Sequence, residues 1–126
     1  MQATSGPVIW QRETALENVL GQEKTLHKLV ELILQRLPEL QKALQTAFKN
    51  NDLPQIEFHA HSIKGSSGQV YCKKLQEAAS NLEALAKAGN LEGARDLEDY
   101  FNNCCEEVLE VFSKELHNHP ANSKTG

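Results

Sequence analysis

One apolar stripe constrains this chain more than any other feature. Leu26, Leu29, Val30, Ile33, Leu37, Leu40, Leu44, Ala47 and Phe48 recur at steps of three and four residues. That period belongs to one face of an α-helix, because a half-buried strand would alternate with period two. A helix with a single apolar face must bury it against other elements. Two further stripes have the same period: Leu75, Ala78, Ala79, Leu82, Leu85 and Ala86, then Leu97, Phe101, Cys104, Val108, Val111 and Phe112. Between them lies a shorter helical pattern, with Ile56, Ile63 and Val70 on one side flanked by Ala60 and Ser67. Helices of this kind joined by short turns are expected to form an all-α, antiparallel up-and-down four-helix bundle.

Helix punctuation supplies the boundaries. A short extra N-terminal helix, about Gln11 to Leu20, is expected to end at Gly21 and cap one end of the bundle. The long helix runs from about Gln22 to Asn50, and Pro38 inside it is expected to kink it. Asp52 with Gln55 forms a capping box for a helix over Leu53 to Val70. Tyr71-Cys72 breaks the pattern, and a helix follows from about Lys73 to Ala88. Gly89 lies past its end, and Asn90 caps the last helix, about Leu91 to Leu116. Residues 1–7 and 117–126 are polar or breaker-rich and read as flexible ends, with His117 and His119 as tail residues, which leaves 8–116 as one domain. A chain of 126 residues, 40% of them hydrophobic, is long enough for one core.

The third helix carries an anomaly. Its run His61-Ser62-Ile63-Lys64-Gly65-Ser66-Ser67-Gly68 places two glycines inside a helix, each costing about 1 kcal/mol relative to alanine. At about 100° per residue, Gly65 and Gly68 lie roughly 40° and 20° to either side of His61, and Lys64 lies roughly 60° away. Ile56, Ile63 and Val70 fall roughly 140° to 180° away, so His61 faces outward. His59 falls roughly 160° from His61, so the two are not a chelating pair. A helix that gives up stability to clear space around an outward histidine implies that something large must reach it.

His61-x-x-Lys64-Gly65-Ser66-Ser67, with the small residue Gly68 after it and Ala60 before it, resembles the signature of histidine-containing phosphotransfer (HPt) domains of bacterial and plant phosphorelays. The likeness extends to Leu20-Gly21-Gln22-Glu23, to Leu37-Pro38-Glu39-Leu40 within the long helix, and to Lys49-Asn50-Asn51-Asp52-Leu53, covering about Val8 to Leu116. It is similar to the C-terminal module of hybrid sensor histidine kinases, and a free-standing shuttle fits as well. One departure is visible: Tyr71-Cys72 stands where that family usually has Gly-Ala, at a turn where glycine would supply a positive-φ cap.

The resemblance implies that His61 accepts a phosphoryl group from a receiver-domain aspartate and passes it to another. An unprotonated imidazole is a competent nucleophile near neutral pH, and phosphoryl transfer needs mainly positioning and charge stabilisation. Lys64 is placed to stabilise the transferring oxygens. Gly65 and Gly68 let the partner's loops approach, and that partner brings its own aspartate and Mg²⁺. Phe58, roughly 60° from His61 on the side opposite Lys64, reads as part of the rim a receiver docks against. Gln69, roughly 80° from His61, is a further candidate contact, and Glu57 and Glu23 are candidates for charge complementarity. The resemblance also implies a monomer.

Other classes are disfavoured. A formal net charge of −4 argues against a nucleic-acid partner. No apolar run reaches the length of a membrane span and no signal-peptide pattern is present, so a cytoplasmic domain is expected, either free-standing or at the cytoplasmic end of a membrane-bound hybrid kinase. The three cysteines make no disulfide framework or zinc spacing. Cys104 falls on an apolar stripe, while a redox role for Cys72 is open. No nucleotide-binding loop or kinase signature occurs, so the chain is not expected to bind ATP or phosphorylate itself, and no cofactor or metal is expected. The alternatives are a receiver-docking bundle without phosphotransfer, and a metal enzyme, which would need Glu-x-x-His motifs that are missing here.

Overall fold

A computed structural model describes residues 9–119. It contains five helices: α1 (Arg12–Asn18), α2 (Glu23–Lys49), α3 (Leu53–Gln69), α4 (Lys73–Lys87) and α5 (Leu91–Asn118). Contacts run cyclically from α2 to α3, α3 to α4, α4 to α5 and α5 back to α2, closing an up-and-down four-helix bundle with α1 against α2. The flexible N-terminus expected at 1–7, and residues 120–126 of the tail expected at 117–126, lie outside the described residues. Among the described residues no helix is long and apolar enough to cross a membrane.

The local chemistry sets the turns. The Asp52 carboxylate accepts from the Gln55 N–H at 3.2 Å and the Asn90 side chain accepts from the Gly93 N–H at 2.8 Å, which caps α3 and α5. Gly89 takes φ +76°, as its place after α4 predicts. Arg95 from α5 donates to the Phe48 carbonyl at 2.7 Å and also bonds the Asn51 side chain, tying the end of α2.

The long helix spans Pro38 without a break, from Glu23 to Lys49, with the Pro38 ring on the exposed side. One element departs from expectation. α5 extends to Asn118, so His117 and Asn118 are helical and not tail, and the His119 carbonyl sits 3.1 Å from His27 Nδ1.

The turn after α3 resolves the departure at Tyr71-Cys72. Tyr71 itself adopts φ +63°, the conformation a glycine would have taken. Its turn is closed by the Cys72 N–H donating to the Ser67 carbonyl at 2.8 Å. The N-terminal segment then clasps it: the Trp10 indole N–H donates to the Val70 carbonyl at 2.7 Å, and the Gln11 N–H donates to the Tyr71 carbonyl at 3.0 Å. Trp10 is anchored edge-on against Phe112, with ring centroids 4.7 Å apart. Arg12 next to it forms ion pairs with Glu115 at 2.8 Å and Glu23 at 2.7 Å.

Phe48, Phe101, Phe112, Leu26, Leu44, Ile56, Ile63, Leu75 and Leu82 fill the core. Cys104 is buried there as its stripe predicted, and Cys72 and Cys105 join it. Burial pushes the Cys72 thiol up to about 12, which disfavours the reactive thiolate that a redox role requires.

Candidate active site

The inner face of α3 consists of Ile56, Ala60, Ile63 and Ser67, all buried. Ser67 fits because its hydroxyl donates to the Ile63 carbonyl at 2.7 Å within its own helix. With that face pinned, His61 must project outward, and its side chain is 66% exposed.

Its ring is nevertheless held in place. His61 Nδ1 lies 2.8 Å from Glu83 Oε2, and Lys64 Nζ lies 2.7 Å from Glu83 Oε1. One carboxylate on α4 therefore bridges the histidine and the lysine of α3. The Glu83 side chain is only 13% exposed. The Lys64 ammonium holds its carboxyl below the usual glutamate range, against the opposing pull of burial, and His61 adds to the effect. An ionised carboxylate can only accept, so the proton of a neutral imidazole sits on Nδ1 and the Nε2 lone pair is left outward.

The two glycines prove unlike each other. A Cβ at Gly65 would meet nothing within 4 Å, so the surface beside His61 and Lys64 is open there. At Gly68 a Cβ would lie 2.7 Å from Gln76 Nε2, so this glycine admits a side chain of α4 and does not simply bare the helix. That differs from the expectation that both glycines clear the way for a partner, and the reason is the close packing of α3 on α4.

Toward the N-terminal end of α3, a shallow depression of about 430 Å³ is lined by Pro54, Glu57, Phe58, His61, Glu83 and Lys87. Phe58 is 60% exposed. The structure thus gathers His61, Lys64, Glu57, Phe58 and Gly65 on one surface. Gln69 is the last residue of α3, two turns beyond His61 and outside this depression, and Glu23 is engaged by Arg12. His59 is half-buried, and its Nδ1 has no partner among the described residues. Among the described residues no group of three or more His, Cys, Asp and Glu side chains could hold a metal ion.

Sequence reasoning missed Glu83 and Lys87. Both lie on α4 beside its buried stripe of Ala79, Leu82 and Ala86. Periodicity places them at the edge of that stripe, but which α3 residue they meet depends on how the two helices are rotated against each other.

Known proteins share both the sequence pattern and the architecture. The Hpt domain family model matches residues 28–111. The crystal structure of histidine-containing phosphotransfer protein B (HptB) from Pseudomonas aeruginosa PAO1 is similar with a TM-score of 0.81, covering 90% of this chain and 98% of that one, and at 22% identity this likeness concerns the fold. No curated relative matches the chain by sequence.

Proposed function

The chain belongs to the Hpt domain family, and from that premise we propose that His61 is the residue that carries the phosphoryl group in its histidine phosphotransfer reaction. The observation that carries this reading is the exposed imidazole whose Nδ1 is held by Glu83, which leaves Nε2 as the free nucleophile. In the proposed step the Nε2 lone pair attacks the phosphorus of a receiver's aspartyl phosphate. The P–O bond to the aspartate breaks, and its electron pair returns to the receiver's carboxylate. Nδ1 keeps its proton throughout, hydrogen-bonded to Glu83, so this chain needs no proton transfer in either direction.

Lys64 in this reading stabilises charge on the transferring oxygens, and Glu83 is a positioning residue that orients the ring. Gly65 leaves room for the receiver's loops, while Phe58 and Glu57 form the docking rim. Gly68 and Gln69 are peripheral contacts. The Mg²⁺ belongs to the receiver. We read the bundle, through the end of α5 at Asn118, as one cytoplasmic, monomeric domain; the closed ring of helix contacts supports the single domain.

The test is transfer of label from phosphorylated receiver domains to the native chain and to His61→Gln. Acid-labile label on the native chain and none on the variant is the expected result. Binding of receivers without any labelling of either protein would replace this reading with a docking bundle that does not transfer phosphate.

A further inference from the structure

The site as folded contains a conflict. Lys64, the cation expected to meet the phosphoryl group, is already committed to Glu83 at 2.7 Å. A phosphoryl group on Nε2 competes with Glu83 Oε1 for this ammonium. As the ammonium turns to the phosphoryl oxygens, a largely buried carboxylate is left with the ring's Nδ1–H as its remaining partner, and an under-paired, partly buried charge is costly.

Lys87 is the group placed to relieve this. It follows Glu83 by four residues on α4, so the two share a helix face in the favourable Glu-to-Lys order. It lines the same depression as His61 and Glu83. It is exposed, and it forms no ion pair among the described residues. The approach directions also differ: Lys64 reaches Glu83 from across the α3–α4 interface, one turn beyond His61, whereas Lys87 comes from the next turn of Glu83's own helix, on the side of Pro54, Glu57 and Phe58.

We infer that Lys87 replaces Lys64 on Glu83 when His61 is phosphorylated, so that one carboxylate exchanges its lysine partner while keeping its bond to His61 Nδ1. This rests on the reading of His61 as the acceptor. Lys87 is then a positioning residue that acts through Glu83: it frees Lys64 for the phosphoryl oxygens and does not itself touch them. The exchange moves no proton and no covalent bond beyond those of the transfer step.

The experiment uses phosphoramidate as the donor, so that receiver docking plays no part. His61 Nε2 attacks its phosphorus, the P–N bond breaks, and the nitrogen leaves as ammonia. Phosphorylation rates at His61, followed by ³¹P NMR, are compared for the native chain, Lys87→Gln, Glu83→Gln and the double variant. In Glu83→Gln the side-chain amide oxygen still accepts from Nδ1 but carries no charge, so Lys64 is no longer held by an ion pair. The expected result is that Lys87→Gln slows phosphorylation about two- to fivefold when Glu83 is present, the scale of one exposed ion pair, and has no effect in the Glu83→Gln background. Lys87→Arg should restore the native rate. Equal slowing in both backgrounds would assign Lys87 to the phosphoryl group directly and overturn the exchange, as would no slowing in either. If His61→Gln takes up phosphate as the native chain does, the acceptor reading falls first, and the exchange falls with it; Lys87 effects that fail while His61 is phosphorylated remove only the exchange.

Discussion

Gly65 offers a direct separation of folding from function. It sits in the middle of α3, where glycine weakens a helix by about 0.5–1 kcal/mol relative to alanine. A Cβ there would meet nothing within 4 Å, so Gly65→Ala adds no clash to offset that gain. The variant should be more stable by about 0.5–1 kcal/mol, which for a domain of this size raises Tm by roughly 2–5 °C. Gly68→Ala is the internal control. Its Cβ would lie 2.7 Å from Gln76 Nε2, so the Gln76 side chain must swing away and the net gain should be smaller. Gly65→Leu keeps a strong helix former but fills the space beside His61, and it should slow transfer from a receiver by about ten- to a hundredfold, because small displacements of reacting groups are costly. Urea unfolding followed by circular dichroism, with single-turnover transfer on the same samples, gives both quantities. A loss of stability in Gly65→Ala would show that the space is not open. Unchanged transfer in Gly65→Leu would show that the space is not kept for a partner.

The remaining predictions concern the groups around the site and the turn beyond it. Because Lys64 holds the Glu83 carboxyl low, the pairing stabilises the fold above the unfolded glutamate value of about 4.3 and is lost as pH falls through the lower folded value. Native and Glu83→Gln stabilities, measured by urea unfolding, should therefore differ at pH 7 and converge in acid; parallel curves would mean the pairing contributes nothing. Cys72, buried with its thiol pushed up to about 12, should resist iodoacetamide at pH 8 until the chain unfolds, and mass spectrometry showing free-thiol rates in the native protein would refute that burial. Trp10→Phe keeps a ring against Phe112 but leaves the Val70 carbonyl without its donor, costing about 1–2 kcal/mol. Trp10→Ala should cost about 3–5 kcal/mol. Both are read by circular dichroism, since Trp10 is the sole tryptophan, and a near-neutral Trp10→Ala would show that the clasp does not hold the turn.

The bundle was legible because each helix has one apolar face, and three-four spacing determines that face without reference to any other element. The turns were legible for the same local reason: Asp52, Gly89 and Asn90 act on backbone groups within three residues of themselves. The outward placement of His61 follows from Ile56, Ile63 and Ala60 alone. What stayed hidden depends on two helices at once. Glu83 meets His61 only because α4 lies against α3 with a particular rotation, and the local pattern places position 83 at the edge of the α4 stripe without fixing which α3 residue it meets. Gly68 was read as clearance for the same reason, since its neighbour Gln76 belongs to α4. Leu97 and Val111 lie on the α5 stripe yet are only half-buried, while Cys105, off that stripe, is fully buried; the ring of neighbours around α5 is wider than one stripe implies.

The turn at Tyr71 shows how a departure from a family pattern can be absorbed. A tyrosine held at positive φ costs about 1–2 kcal/mol that glycine would not. Removing glycine also lowers the entropy of the unfolded chain, which offsets part of that strain. The larger compensation comes from outside the family-matched stretch of 28–111: Trp10 and Gln11 each donate a hydrogen bond to the turn, at 2.7 and 3.0 Å, each worth about 1 kcal/mol. The strain and its compensation are thus of the same size and come from segments far apart in the sequence. Because the clasp grips Val70 and Tyr71, beyond the last turn of α3, it leaves the strip from His61 to Gly65 untouched. The face that carries His61 and the turn that follows it are held by separate sets of contacts, so the second can vary while the first keeps its geometry.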